Sequence, residues 1–289
     1  MMGTRSLLAI LFTVCASIAG CTSPVDSSSI VNVMTFNIRY ANPGDGVHIW
    51  DNRKSWVAEI ILQESPVAVG IQEALRHQVD TLAARLPEYR WVGVGRDDGV
   101  NLGEFTPIFY KISALNLVDS GTFWLSDTPG DVGSTGWDAA LPRIATWARF
   151  SLKESPRGLL VVNSHFDHRG EKARLESARL LREWIADNSN GDPVVLLGDF
   201  NVRETEPPYA EIVRGGYLKD SAEFTEQPDN LNTFRGFEVG SVDPVRIDYV
   251  FTSDAIVVLS HTVLDESRLD YYPSDHLPVV VQLRLMYQE

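Results

Sequence analysis

Cysteine is nearly absent: the chain has two in 289 residues, Cys15 and Cys21. Both precede the first strand-like segment, so no disulfide framework holds the body of the chain and its stability must come from packing. Basic residues are also short, with 25 Lys and Arg against 39 Asp and Glu and a formal charge of −14. Holding a polyanion rests on Lys and Arg displacing counterions from phosphates, so a processive, non-specific nucleic-acid binder is disfavoured. The apolar run Leu7 to Ile18 is too short to span a bilayer. What remains is 44% apolar residues, enough for a large core and without the bias of a disordered, collagenous or multi-span membrane chain.

The first residues read differently from the rest. Arg5 precedes the short apolar run, as in a signal-peptide core. The run ends in Ile18-Ala19-Gly20-Cys21, which resembles the lipobox of bacterial lipoproteins, with Cys21 as the lipidated first residue. A Ser-rich stretch from Thr22 to Ser29 follows, as in a flexible tether. The expectation is a signal peptide over 1–20, a tether over 21–29, and a lipid-anchored protein of the bacterial cell envelope, periplasmic or outer-membrane. The alternative is a plain secretory peptide in which Cys21 is incidental.

From Ile30 onward strands alternate with helices and hairpins. Ile30 to Asn37 reads as a first strand. Asn52 to Gln63 has apolar residues at helical spacing and is stopped by Ser65-Pro66. Val67 to Ile71 is a continuous apolar run, as in a strand covered on both faces, and a helix over about Gln78 to Leu86 ends at Pro87. Four β-like stretches lie close together and point to antiparallel hairpins: Tyr89 to Val94, Pro107 to Lys111, Leu115 to Thr122 and Ala145 to Leu152. Ser126 to Pro142, rich in Gly, Asp and Pro, is a long loop. Leu159 to Asn163 is a strand and Glu171 to Ala186 an amphipathic helix. Val194 to Leu197, Ile247 to Thr252, Ile256 to Ser260 and Pro278 to Leu285 complete the strands. No repeat or second linker interrupts 30–289, so one domain is expected, an α+β domain of stacked sheets with helices outside.

Polar residues are sparse in these apolar strands, so those at strand ends are where chemistry shows. They are Asn37 after Val-Met-Thr-Phe, Glu73 after Val-Gly-Ile-Gln, His165 after Val-Val-Asn-Ser, Asp199 and Asn201 in Leu-Leu-Gly-Asp-Phe-Asn, Asp248 in Arg-Ile-Asp-Tyr, and Asp275-His276 in Ser-Asp-His-Leu-Pro. Singly, each could be a cap, a turn or a solvated end. His165 and His168 invite a zinc reading, but the other histidines form no zinc pattern and the mature chain offers no further thiolate.

Taken together and in this order, the motifs resemble the endonuclease/exonuclease/phosphatase superfamily, over about Ile30 to Leu285. The resemblance implies a four-layer α/β sandwich, two mixed sheets face to face with helices on both outer sides, and the named residues gathered at one rim. It implies a phosphoester hydrolase dependent on Mg²⁺ or Mn²⁺, with Glu73 as main metal ligand and Asn37 and Asp275 close by. Asp199 would act as base on the attacking water, oriented by Asn201. His276, held by Asp248, would contact the scissile phosphate, and His165 would contact phosphate or protonate the leaving group. Tyr110, in Pro-Ile-Phe-Tyr-Lys, matches a phosphate-contact position, with a core aromatic as the equal alternative. Arg143 and Trp147, after the long loop, are candidates to bind a substrate phosphate and stack on its body, against an ordinary strand start. The Cys-Asp-Arg signature of inositol polyphosphate 5-phosphatases is missing.

The reading is therefore a monomeric phosphohydrolase outside the cytoplasm that takes small organic phosphates, phosphomonoester or phosphodiester. Two rivals stand beside it: an extracellular nuclease, with nucleic acid as a disfavoured partner, and a catalytically silent binding lipoprotein on the same fold.

Overall fold

Alternating side chains decide this architecture, and they change character along each strand. A computed structural model describes residues 30–153, 158–224, 230–240 and 242–286; the expected signal peptide, tether and Cys21 lie outside the described residues. The first sheet holds β1 (Ile30–Asn37), β2 (Ala68–Gln72), β3 (Tyr89–Val92), β4 (Ile108–Lys111), β11 (Ile256–Val263) and β12 (Val279–Leu285), in the order β11-β12-β1-β2-β4-β3. The second holds β5 (Leu115–Trp124), β6 (Ile144–Leu152), β7 (Gly158–His165), β8 (Val194–Asp199), β9 (Leu218–Asp220) and β10 (Asp248–Ser253), in the order β5-β6-β7-β8-β10-β9. Both are mixed: β1 runs parallel to β2 and β7 parallel to β8, while the remaining pairs are antiparallel.

One core lies between the sheets, where Val31, Val33 and Ala68 meet Val161, Val195, Leu197 and Val250. A second packs Met34, Phe36, Val69 and Ile71 against Val57 and Ile61 of α1 (Trp50–Glu64) and Val79 and Leu82 of α2 (Arg76–Arg85). A third packs Val162, Leu196 and Phe251 against Ala178, Leu181 and Ile185 of α3 (Glu171–Asn188) and Ile212 of α4 (Pro207–Ile212). The sheets thus form the two middle layers of a four-layer sandwich, as expected. Each buried Val, Leu, Ile or Phe contributes on the order of 1.5–3 kcal/mol.

The inward rows turn polar toward one end of the sandwich. In β1 the sequence Val31, Val33 is followed by buried Thr35 and Asn37; in β7, Leu159 and Val161 give way to Asn163 and His165. Midway, Asn163 bridges the sheets, accepting from Gln72 Nε2 at 2.7 Å and donating to the carbonyls of Ile71 and Pro107 at 2.8 and 2.9 Å. The sheets come so close there that a Cβ on Gly70 would lie 1.9 Å from Leu197 Cδ1. Beyond this bridge the polar ends open as a rim.

Tyr110 and Trp147 depart from expectation. Tyr110 pairs with Ala68, at the opposite end of β2 from Gln72, and tilts against Phe150 in the inter-sheet core. Trp147 stands on the outer face of β6, 5.4 Å from the Trp184 ring of α3. Register removes the first from the rim, and strand parity removes the second. The expected hairpins are also split: β3 pairs with β4, but β5 opens the other sheet.

Candidate active site

Strand register builds the site from two sides. His165 and Asp199 are parallel neighbours on β7 and β8, and Asp248 of β10 lies opposite Asp199. From the first sheet, Asn37 ends β1 beside Gln72 of β2, and Glu73 follows at once. The loop before β12 brings Asp275 and His276. Together these ends surround a cavity of about 600 Å³ whose lining includes Glu73, His165, Asp199, Asn201, Asp275 and His276. Arg143 also lies on its wall, buried to 4% exposure.

Two of these residues hold their backbones in the left-handed region, Glu73 at φ 63° and Asn201 at φ 50°. Such a conformation costs about 1–3 kcal/mol in a non-glycine residue and persists only where surroundings impose it. For Glu73 those surroundings are hydrogen bonds to both carboxylate oxygens, from Asn37 Nδ2 at 3.0 Å and from the Tyr40 amide at 3.1 Å. For Asn201, its amide N–H donates to Asp199 Oδ1 at 2.9 Å and its side-chain nitrogen donates to the Phe166 carbonyl at 3.1 Å.

Asn37, expected close to the metal, sits between two carboxylates. Its Nδ2 spans Glu73 Oε1 and Asp199 Oδ2, the latter at 2.9 Å, while its Oδ1 accepts the Arg39 amide. Its side chain thus links two carboxylates across the sheets.

The two histidines are driven apart in charge. His276 Nδ1 lies 2.8 Å from Asp248 Oδ2, and its Nε2 lies 3.8 Å from Asp199. Burial alone pushes its imidazole pKa down, but Asp248, Asp199 and Asp275 outweigh that and raise it well above the ordinary range. His165 is held well below it, by burial first and then by Arg143 and Arg96. One ring is therefore a cation at neutral pH and the other neutral, the separation that acid–base division of labour needs. Asp199 is pushed up to about 7 by burial and by Asp248, against the pull of His276 and Asn37.

Carboxylates outnumber the cations that could neutralise them. Burial raises Asp275 and Glu104, and Glu73 adds to both shifts. Glu104 has Arg96 at 2.7 Å, but the guanidinium nearest Asp275, that of Arg39, stands 3.9 Å away. Glu73, His165 and Asp199 offer ligand atoms within 4.8 Å of one another, as do Asp199, Asp248 and His276. Oxygen donors with excess negative charge suit a hard dication, so the donor set fits Mg²⁺ or Mn²⁺.

Four residues of the site carry no pattern in the sequence. Asp167, two places after His165, accepts from Arg143 Nε at 3.4 Å and from the amides of Ala140, Arg169 and Gly170. Although burial opposes it, those amides and Arg143 hold Asp167 down to about 2. The fixed Asp167 ties the long loop to Arg143, whose Nη2 meets His168 Nδ1 at 3.0 Å. Glu104, Arg39 and Phe234 also line the cavity, with the Phe234 ring edge-on to His276 at 5.1 Å. Lone loop residues have no periodicity; only the polar cluster Asp-His after His-Phe hinted at Asp167.

This geometry has relatives. A family model described as the Endonuclease/Exonuclease/phosphatase family matches residues 34–276. The chain belongs to that family. A solved endonuclease/exonuclease/phosphatase from Bacteroides vulgatus is 38% identical, with a TM-score of 0.84 over 89% of this chain and 99% of that one. A mannosyl-6-phosphatase of Bacteroides thetaiotaomicron is also 38% identical, with a TM-score of 0.81 over 88% of this chain and 99% of its own. Protein L388 of Acanthamoeba polyphaga mimivirus is 29% identical over 81% of this chain and 92% of its own length. Family membership accounts for the two mixed sheets.

Proposed function

We propose that this member of the family is a divalent-metal-dependent phosphoester hydrolase acting outside the cytoplasm on small organic phosphates, with phosphosugars as the leading class. One observation carries the reading: Glu73, Asp199 and Asp275 converge on one cavity with more negative charge than neighbouring cations neutralise, beside a charged His276 and a neutral His165. The 38% identity to a mannosyl-6-phosphatase supports the substrate class.

In this mechanism Glu73 and Asp275 would hold the ion, with Asn37 fixing Glu73 against Asp199. A bound Mg²⁺ or Mn²⁺ supplies Lewis acidity to a phosphoryl oxygen and offsets the charge that develops there. Asp199, with a pKa of about 7, takes the proton of the attacking water, and Asn201 keeps Asp199 aimed by donating to its other oxygen. His276, cationic through Asp248, binds an equatorial phosphoryl oxygen. His165 offers a neutral ring near the leaving group and Arg143 a buried cation behind it.

The test is turnover of mannose 6-phosphate and other small phosphoesters by the full chain with Mg²⁺, Mn²⁺ or EDTA. Turnover should require the ion, and Glu73→Gln should lose more than the ~10–100-fold typical of outer-shell changes while melting normally. Full turnover of Glu73→Gln, or of wild type after exhaustive chelation, overturns the metal reading. Ile18-Ala19-Gly20-Cys21 supports the extracytoplasmic, lipid-anchored location. Wild type should fractionate with membranes and Cys21→Ser should remain as uncleaved precursor or soluble protein; wholly soluble wild type without lipid refutes the anchor.

A further inference from the structure

We infer that Arg53, on the buried face of α1, is the positioning residue that sets the metal-facing half of the site, acting through backbone carbonyls and touching neither substrate nor ion. The inference rests on the metal reading above.

Arg53 is 3% exposed and forms no ion pair among the described residues. Its guanidinium donates instead to four carbonyls: Nε to His48 at 2.6 Å, Nη1 to Ile38 at 2.6 Å and Pro273 at 2.9 Å, and Nη2 to Arg39 at 3.0 Å. The rings of Trp50 and Phe237 lie 5.4 and 5.2 Å from its central carbon. Burying a cation without a carboxylate is costly unless every donor is satisfied. An aliphatic side chain would fill this face of α1 at lower desolvation cost. What it cannot do is bind four carbonyls in fixed directions, which a planar guanidinium can.

The identity of those carbonyls gives the function. Ile38 and Arg39 immediately follow Asn37, which holds Glu73; Pro273 stands two residues before Asp275. Arg53 therefore joins the segment that follows Asn37, whose side chain holds Glu73, to the segment that carries Asp275. Ser274 makes a second tie across the same junction, its Oγ donating to the Asn37 carbonyl at 2.8 Å. A third comes from α2, where Gln78 Nε2 donates to the Arg39 carbonyl at 3.0 Å and Gln78 Oε1 accepts the amides of Ala41 and Leu75. Gln78 thereby fastens the segment after β1 to the segment after Glu73. The outer helices thus fix the spacing of ligands they never touch, and Arg53 is not among the residues lining the cavity.

The experiment measures Mn²⁺ binding to the full-length protein by the electron-spin resonance of free Mn²⁺, with melting in EDTA as control. The variants are Arg53→Lys, Arg53→Met and Ser274→Ala. Losing an outer-shell partner weakens metal binding by about 10–100-fold; Arg53→Lys and Arg53→Met should raise the Mn²⁺ Kd by that much, and Ser274→Ala should raise it in the same direction. At saturating Mn²⁺, KM for the phosphoester should stay at its wild-type value, since Arg53 does not reach the substrate. A merely structural role would lower the melting temperature in EDTA and leave Kd unmoved, and unchanged Kd in folded variants overturns the inference. If the Arg53 variants do not fold, Gln78→Met, which removes the parallel tie to the Arg39 carbonyl, decides by the same criterion, since Ser274 Oγ also bonds Asp275 directly. Wild type that binds no Mn²⁺ overturns the metal reading and this inference with it; unchanged affinity in the variants overturns this inference alone.

Discussion

His276 and His165 face one cavity, yet their surroundings push them in opposite directions: carboxylates led by Asp248 outweigh burial at His276, whereas burial and then Arg143 and Arg96 depress His165. Asp248 is 2.8 Å from His276 Nδ1, whereas the carboxylate nearest His165 Nδ1, that of Glu104, is 3.9 Å away and already bonded to Arg96. The Asp248–His276 pair should therefore behave as a unit. His276→Ala is expected to lower kcat by ~10²–10³-fold, the range for removing one donor aimed at developing charge, and Asp248→Asn by a related factor. In the double variant the losses should fall well short of additive. Additive losses in kcat would mean that the two residues are not coupled. At this scale the sequence is informative where chemistry needs a polar residue at the end of an apolar strand, as with Glu73, Asp199 and His276. It is silent where the decisive fact is a face or a register. Tyr110 sits in a strand of the expected kind but at the wrong end, and Trp147 sits in one but on the helix side.

Strands and helices were legible because their periods are physical. The apolar runs of β1 and β2 follow from faces covered on both sides, by the opposite sheet and by helices. Their ends were less so: β8 was expected to stop at Leu197 and runs to Asp199, carrying the proposed base inside the ladder. Gly198 is what permits that extension. Its φ is 149°, and a Cβ there would stand 2.0 Å from the Ser164 carbonyl on β7. Gly198→Ala must therefore push β8 from β7 just where His165 and Asp199 pair. It is expected to cost more than ~1 kcal/mol, the scale at which an incompatible alanine outweighs its entropic benefit, and so to lower Tm by at least ~2–4 °C. Activity should fall with it, because the displaced residue precedes Asp199. A melting curve matching wild type would show that the strands have room to spare. The short α4 and β9 went unread, since six and three residues are too few to establish a period.

The charge of the whole molecule bears on substrate choice. The family takes in both nucleases and phosphatases, but a net charge of −14 opposes any long polyanion that must lie along the surface. Long-range repulsion is screened over about 8 Å at physiological ionic strength, so it acts on a polymer's approach and little on a phosphate already inside the cavity. A small phosphoester brings one or two phosphates, which the ion, His276 and Arg143 can neutralise locally. Salt should therefore have little effect on either substrate class, for different reasons. For a small phosphoester, kcat/KM should change little between low and physiological salt. For DNA the net charge of −14 disfavours many phosphate contacts, so the steep loss of affinity with salt that a protein making many such contacts shows should be absent, and cleavage should be slow throughout. The decisive measurement is kcat/KM for mannose 6-phosphate beside that for single- and double-stranded DNA, each at both salt concentrations with saturating Mg²⁺. Small-phosphoester turnover should exceed DNA cleavage by a wide margin at physiological salt. Faster DNA cleavage there would mean that local basic groups around the rim, Arg39 and Arg143 among them, govern binding in place of the net charge, and the nuclease reading would replace the one proposed.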